Sequence, residues 1–240
     1  MRPAMTAQQA VFTDEKQSGL KLYREIAVGE ESLWHFIYYE LTQVTLSGLP
    51  ALPGFVLRSL LYPILFKQCG KRPALGRGVL LRNPKKISLG DKLLVDDYVA
   101  LDSRGPSSAI DIGNFVSIGR YSTITAKNGT IKLGNGTNIG SHCRIATQSQ
   151  ITVGESSLIA AYCYIGPGNH QQEEGKSLIE SSMEIKGGVK IGSHVWIGTK
   201  ATILDGVSIG DGAIIGAHSL VREDVPAGAI VAGTPAKLIQ

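Results

Sequence analysis

Residues 191–226 read IGSHVWIGTKATILDGVSIGDGAIIGAHSLVREDVP, and this stretch decides the fold. A branched aliphatic residue recurs every six positions (Ile191, Ile197, Ile203, Ile209, Ile215, Val221), and a small or short one follows four places behind each (Val195, Ala201, Val207, Ala213, Ser219, Val225). A helix face recurs at three and four and a two-sided strand at two, so neither period fits. A step of six with glycine after the aliphatic (Gly192, Gly198, Gly210, Gly216) suits short strands separated by corners, and the glycine is expected to supply a positive φ there. Three sides close one coil of about 18 residues, and stacked coils bury a ladder that no single coil could bury alone. The fold class expected is an all-β solenoid with an N-terminal α-helical appendage.

Upstream the step begins at Ile87 and runs through Leu89, Val95 and Leu101, then breaks at 103–108 around Gly105-Pro106. It resumes as Ile112, Ile118, Ile124, then Leu133, Ile139, Ile145, then Val153, Ile159, Ile165. These trios start 21 and then 20 residues apart, so extra residues near Asn128-Gly129 and Ser149-Gln150 bulge at one corner of successive coils. The organisation expected is residues 1–84 as tail and helical appendage and 85–240 as the solenoid, with an inserted loop at 167–188. A long polar excursion from a strict repeat reads as functional.

In the appendage, Glu30 and Glu31 open a helical pattern with Leu33, Ile37, Leu41 and Val44 on one face; LPALPG forms a turn, and a second apolar helix runs over 55–67, bent at Pro63. The first 29 residues show no period. The segment 30–67 suits a cap on the prism or a peripheral membrane contact, and it is too broken by Pro, Gly and Arg58 to span a bilayer.

The chain has 240 residues, 43% hydrophobic and 18% charged, which suits one main domain with a sizeable core. Its net charge of +4 is dispersed, so no nucleic-acid partner is expected. Cys69, Cys143 and Cys163 form no C-x-x-C pair and no secretory pattern opens the sequence, which points to a reduced, cytoplasmic setting. Cys143 and Cys163 fall at small-residue positions and are expected to face inward.

Of the histidines, His194 and His218 fall at outward corner positions on different edges, and His35 is expected at the surface. His170 opens the excursion after Gly-Pro-Gly-Asn. GPGNH followed by residues 191–239 is similar to the left-handed parallel β-helix acyltransferases, and within them to sugar and polysaccharide O-acetyltransferases related to galactoside and maltose acetyltransferases. Crossovers between parallel strands are right-handed in about 98% of cases, so the left hand is implied by this resemblance alone.

The resemblance implies His170 as general base in direct transfer from acetyl-CoA to a hydroxyl, with its second ring nitrogen oriented by a backbone carbonyl or by Glu173, Glu174 or Glu184. It implies CoA contacts at Thr199 and Ala217, one coil apart, with Trp196 flanking the arm and Lys237 meeting the nucleotide phosphates. Arg222-Glu223 stands where the family carries Thr-Lys, so Arg222 takes the cationic role. The family's acceptor-orienting Asn has no counterpart; Ser141 and His142 occupy that region, and Asn169 precedes the base. A homotrimer with sites between prisms and a carbohydrate acceptor are further implications. An antibiotic hydroxyl as acceptor and a non-catalytic trimeric scaffold are the alternatives. A γ-class carbonic anhydrase needs an H-x4-H pair that the sequence lacks, so no metal is expected.

Overall fold

A computed structural model describes residues 18–29, 32–166, 173–175, 181 and 184–239. Among the described residues the strands form three sheets of seven, nine and seven, parallel except for the last strand, which wrap as the faces A, B and C of a prism of about seven coils. This is the parallel β-solenoid expected from the step of six, consistent with the left-handed coil that the resemblance implies. Register does not drift: Thr130 pairs with Ala109 and Gln150, and Leu133 with Ile112 and Val153. Each inward position therefore stacks on its equivalent, and Leu75, Val95, Ile118, Ile139, Ile159, Ile197 and Ile215 form one fully buried column on face B. Each such side chain contributes about 1.5–3 kcal/mol by leaving water.

The glycine after each aliphatic has a different cause from the one expected. The left-handed backbone falls two residues later, at Tyr121, His142, Ser156, Tyr162, His194, Lys200 and His218, with φ between 52° and 63°. The glycine itself lies where the next coil passes: a Cβ on Gly198 would stand 2.6 Å from the Ala217 nitrogen. Close backbone approach, not positive φ, excludes a side chain there.

Two boundaries also differ. The solenoid starts ahead of residue 85, with strands Gln68–Cys69, Ala74–Leu75 and Leu80–Arg82 as a complete first coil. Cys69, Leu75 and Leu81 keep the step of six, but a cysteine in the aliphatic place conceals its start. The break at 103–108 is no break: strand Ala100–Arg104 runs on and turns at Gly105, over the same corner as Asn128-Gly129 and Ser149.

Among the described residues the appendage holds three α-helices, α1 (Gly19–Ala27), α2 (Leu33–Leu46) and α3 (Ala51–Leu61), then a 3-10 turn at Tyr62–Leu65 that contains Pro63. Helix α1 was not anticipated; Ser18 caps it by accepting from the Lys21 amide. Helix α3 begins at Ala51 rather than 55, because Pro53 sits in the first turn, where a missing N–H costs nothing. In α2 the expected face is reversed. His35, Tyr39, Thr42 and Leu46 face the prism, while Leu33, Ile37, Leu41 and Val44 are exposed. The Tyr39 hydroxyl donates to the Leu81 carbonyl at 2.6 Å, and His35, expected at the surface, is buried.

Ile197→Ala should cost about 2–5 kcal/mol in urea unfolding, whereas Trp196→Ala, the half-exposed neighbour on the outer side of the same strand, should cost under about 1 kcal/mol.

Candidate functional site

Each coil turns between faces A and B at one edge and between B and C at the next, and the two edges treat their outward amides differently. On the A–B edge side chains cap them: Asp91 Oδ1 accepts from the Lys71 amide, Asn114 Oδ1 from Asp91, Asn135 Oδ1 from Asn114, Ser193 Oγ from Glu155 and Asp211 Oδ1 from Ser193, all at 2.7–3.2 Å. On the B–C edge Asp97 Oδ1 still accepts from the Arg77 amide at 2.7 Å in the first coils, but further along the equivalent residues are Ser141, Ala161, Thr199 and Ala217, whose short side chains reach no neighbouring amide. Among the described residues these four N–H groups have no acceptor. They form an open row of donors, one per coil, about 4.8 Å apart. Unpaired backbone donors at a surface are satisfied by water or by a ligand.

Three residues singled out from the sequence thus lie on one line: Ser141, Thr199 and Ala217. The Thr199 hydroxyl donates to the Ala161 carbonyl at 2.7 Å, and Thr234 continues the line by donating to the His218 carbonyl at 3.2 Å. Trp196 projects from face B beside Thr199 and is half exposed. His142 sits on this edge too, stacked between Tyr121 and Tyr162 with ring centroids 5.0 and 4.7 Å away. Tyr98 extends the stack at 5.3 Å from Tyr121, and the Arg77 guanidinium lies over its far side. The tyrosines were missed in the sequence because each belongs to a different coil; only their shared fourth place in the hexapeptide could have revealed them.

At the C-terminal end, strand Ala236–Leu238 pairs antiparallel with Ile230–Gly233. It brings Lys237 to a cleft of about 410 Å³ that also holds Arg222, Glu223 and Asp224. The two predicted cations therefore share a cleft, with the Glu223 carboxylate 3.7 Å from Arg222 Nε. His170 and Asn169 lie outside the described residues.

The excursion leaves the coil after Gly166, on the C–A edge, and its return is anchored. Buried Asp205 accepts from the Lys186 amide at 2.5 Å and the Gly188 amide at 2.8 Å. No motif marked Asp205. Glu184, one of the candidate orienting carboxylates, lies 3.9 Å from Lys186 Nζ. His194 and His218 are exposed on different edges, as expected.

Cys143 and Cys163 are buried with their sulfurs 3.1 and 3.2 Å from the Ala160 and Gly198 carbonyls, which makes them inward-facing structural thiols as expected. Contact with Cys143, then burial, holds the Cys163 thiol far above its ordinary range. Burial, with Asp91 adding to it, pushes the Cys69 thiol up to about 11. Contact with Cys163 lowers the Cys143 thiol instead, so there it is burial that shields the sulfur; alkylation of the native protein near neutral pH should be slow at all three and become rapid only on unfolding, and fast native labelling of Cys143 would contradict this. Asp205→Ala should lower stability by about 1.5–3 kcal/mol and speed hydrogen exchange at the Lys186 and Gly188 amides, while distant amides keep their protection.

A family model described as bacterial transferase hexapeptide (six repeats) matches residues 188–223. A protein of Mycobacterium tuberculosis named as an acetyltransferase is 33% identical over 160 residues, 67% of this chain and 53% of the relative. WbbJ of Escherichia coli, named as a lipopolysaccharide biosynthesis O-acetyl transferase, is 32% identical over 120 residues, 47% of this chain and 61% of the relative. The chain thus spans about half to three fifths of the length of these curated relatives. The crystal structure of the polysialic acid O-acetyltransferase OatWY has the same fold, with a TM-score of 0.51 at 20% identity over 72% of this chain and 80% of that one. The matched repeats are folded as the coils described above, so residues 188–223 carry the hexapeptide repeat of bacterial transferases.

Proposed function

We propose that the protein is an acyl-CoA-dependent O-acyltransferase, with acetyl-CoA as donor and a hydroxyl of a sugar or polysaccharide precursor as acceptor. The observation that carries this reading is the open row of amides at Ser141, Ala161, Thr199 and Ala217. The arm of CoA is a chain of amides and methylenes, and it needs hydrogen-bond donors in a line beside apolar surface. Thr199 and Ala217 supply two such donors one coil apart, and Trp196 offers the surface. Arg222 and Lys237, in the cleft below, suit the nucleotide phosphates. The acceptor class is supported by the names of the relatives, lipopolysaccharide O-acetyl transfer among them.

The chemistry then needs one base. His170 takes the proton from the acceptor hydroxyl as its oxygen attacks the thioester carbonyl, because an alcohol is a poor nucleophile at neutral pH. The developing oxyanion accepts from an open amide of the donor edge, for which Ser141 and Ala161, towards the thioester end, are the candidates. Collapse of the tetrahedral intermediate breaks the carbon–sulfur bond, and the departing thiolate takes the proton back from His170. Ser141, His142 and Asn169 would meet the acceptor.

In a single prism the excursion departs on the C–A edge and the donor amides line the B–C edge, on either side of face C. A homotrimer with each site between two prisms would set the excursion of one copy against the donor edge of the next. Light scattering should give a trimer mass, and a monomeric, active enzyme would refute the shared site.

His170→Ala should lower CoA-thiol release with a sugar acceptor by about 10²–10⁴-fold and leave CoA binding unchanged, whereas Ala217→Pro, which removes an open donor, should weaken CoA binding. Unchanged turnover in His170→Ala would remove the imidazole from the mechanism.

A further inference from the structure

Helices α2 and α3 turn their polar groups inward and their apolar ones outward. Trp34, Leu41, Val44, Leu52, Leu60 and Ile64 are 73, 58, 80, 71, 66 and 56% exposed. Facing the prism instead are His35, Tyr39, Thr42 and Arg58. This orientation is pinned. Arg58 donates through Nε to the Leu75 carbonyl at 2.9 Å and through Nη1 to the Leu46 and Leu49 carbonyls at 3.0 and 2.7 Å. Turning the helices over would strand those groups, so the outward apolar face belongs to the folded state and calls for an apolar medium.

Charge supplies the second observation. Between residues 33 and 66 the only charged side chains are half-buried Glu40 and buried Arg58, so the outer face carries almost none. Directly after it, residues 67–92 hold eight lysines and arginines and a single aspartate, against a net charge of +4 for the whole chain. These residues form the first coil, on which the helices sit, and the start of the second. Lys67, Lys71 and Arg72 are exposed, and none of the ion pairs among the described residues engages them. An uncharged apolar face bordered by cations matches an anionic lipid surface: the hydrocarbon boundary takes the former and the headgroups the latter. Trp34 suits the interface between the two. At 14 and 11 residues α2 and α3 are too short to cross a bilayer, and no helix among the described residues is long and apolar enough to do so.

We infer that the N-terminal end of the prism docks flat on a bilayer containing anionic phospholipids, through the outer faces of α2 and α3 and the cations of the first coil. This places the enzyme's acceptor at the membrane surface, yet the docking does not depend on the acyl-transfer reading.

The full chain should sediment with phosphatidylcholine vesicles that contain phosphatidylglycerol. Leu41→Glu/Val44→Glu, at exposed positions, should abolish that binding while keeping the native circular dichroism. Lys71→Gln/Arg72→Gln should weaken it roughly 30-fold, at about one kcal/mol per cation. No sedimentation with the anionic vesicles, or binding indifferent to Leu41→Glu/Val44→Glu, would overturn the inference. So would light scattering in which that double variant splits a lipid-free oligomer, since a second copy would then cover the face. Turnover of a soluble sugar acceptor by the same samples reads the catalytic proposal separately, and it should be unchanged in both variants.

Discussion

The distance between successive coils governs this molecule. Parallel strands pair at about 4.8 Å, and without drift in register every residue meets its own equivalent one coil away. Inward positions become columns of isoleucine, valine and leucine, and no coil is stable without its neighbours. The same spacing decides which residues tolerate no side chain. Gly198 sits against Ala217, Gly140 against Ala161 and Gly154 against Ser193, each where a Cβ would meet main chain. Corner positions with left-handed backbone point outward and accept tyrosine, histidine or lysine instead.

Function follows from the difference between edges that share this geometry. Where the corner carries Asp or Asn, and at Ser193, the side chain reaches a neighbouring amide and closes it. Where it carries Ser, Ala and Thr at 141, 161, 199 and 217, that reach is lost and the donors stay open. The contrast is a matter of one or two atoms of side-chain length. It leaves one edge of a repetitive scaffold with free donors and the neighbouring one largely closed.

The step of six made the solenoid, the bulged corner and the inward cysteines legible, because a period repeated many times carries its own check. The appendage was less legible. A 3.6-residue period identifies a face but not which way it points, and α2 buries His35, Tyr39 and Thr42 while exposing Leu33, Ile37, Leu41 and Val44, the reverse of the usual sense. The first coil was hidden by Cys69 standing in an aliphatic place. Asp205 and the tyrosines stacked on His142 escaped notice because their roles arise between coils, at sequence separations that follow no motif. Thr199, Ala217 and Ser141 were singled out only through likeness to other proteins; what they share in the structure is an open backbone amide, which their side-chain types do not announce.

The fixed register also makes the prism a measuring stick. Ala161, Thr199 and Ala217 advance along the axis one coil at a time without rotating about it, so the number of coils between the excursion and the C-terminal cleft sets a length. Inserting or deleting one 18-residue coil there would change the distance from the excursion to the C-terminal cleft by a single strand spacing while leaving every edge aligned. A scaffold of this kind can be lengthened or shortened by whole steps, without redesign of either end.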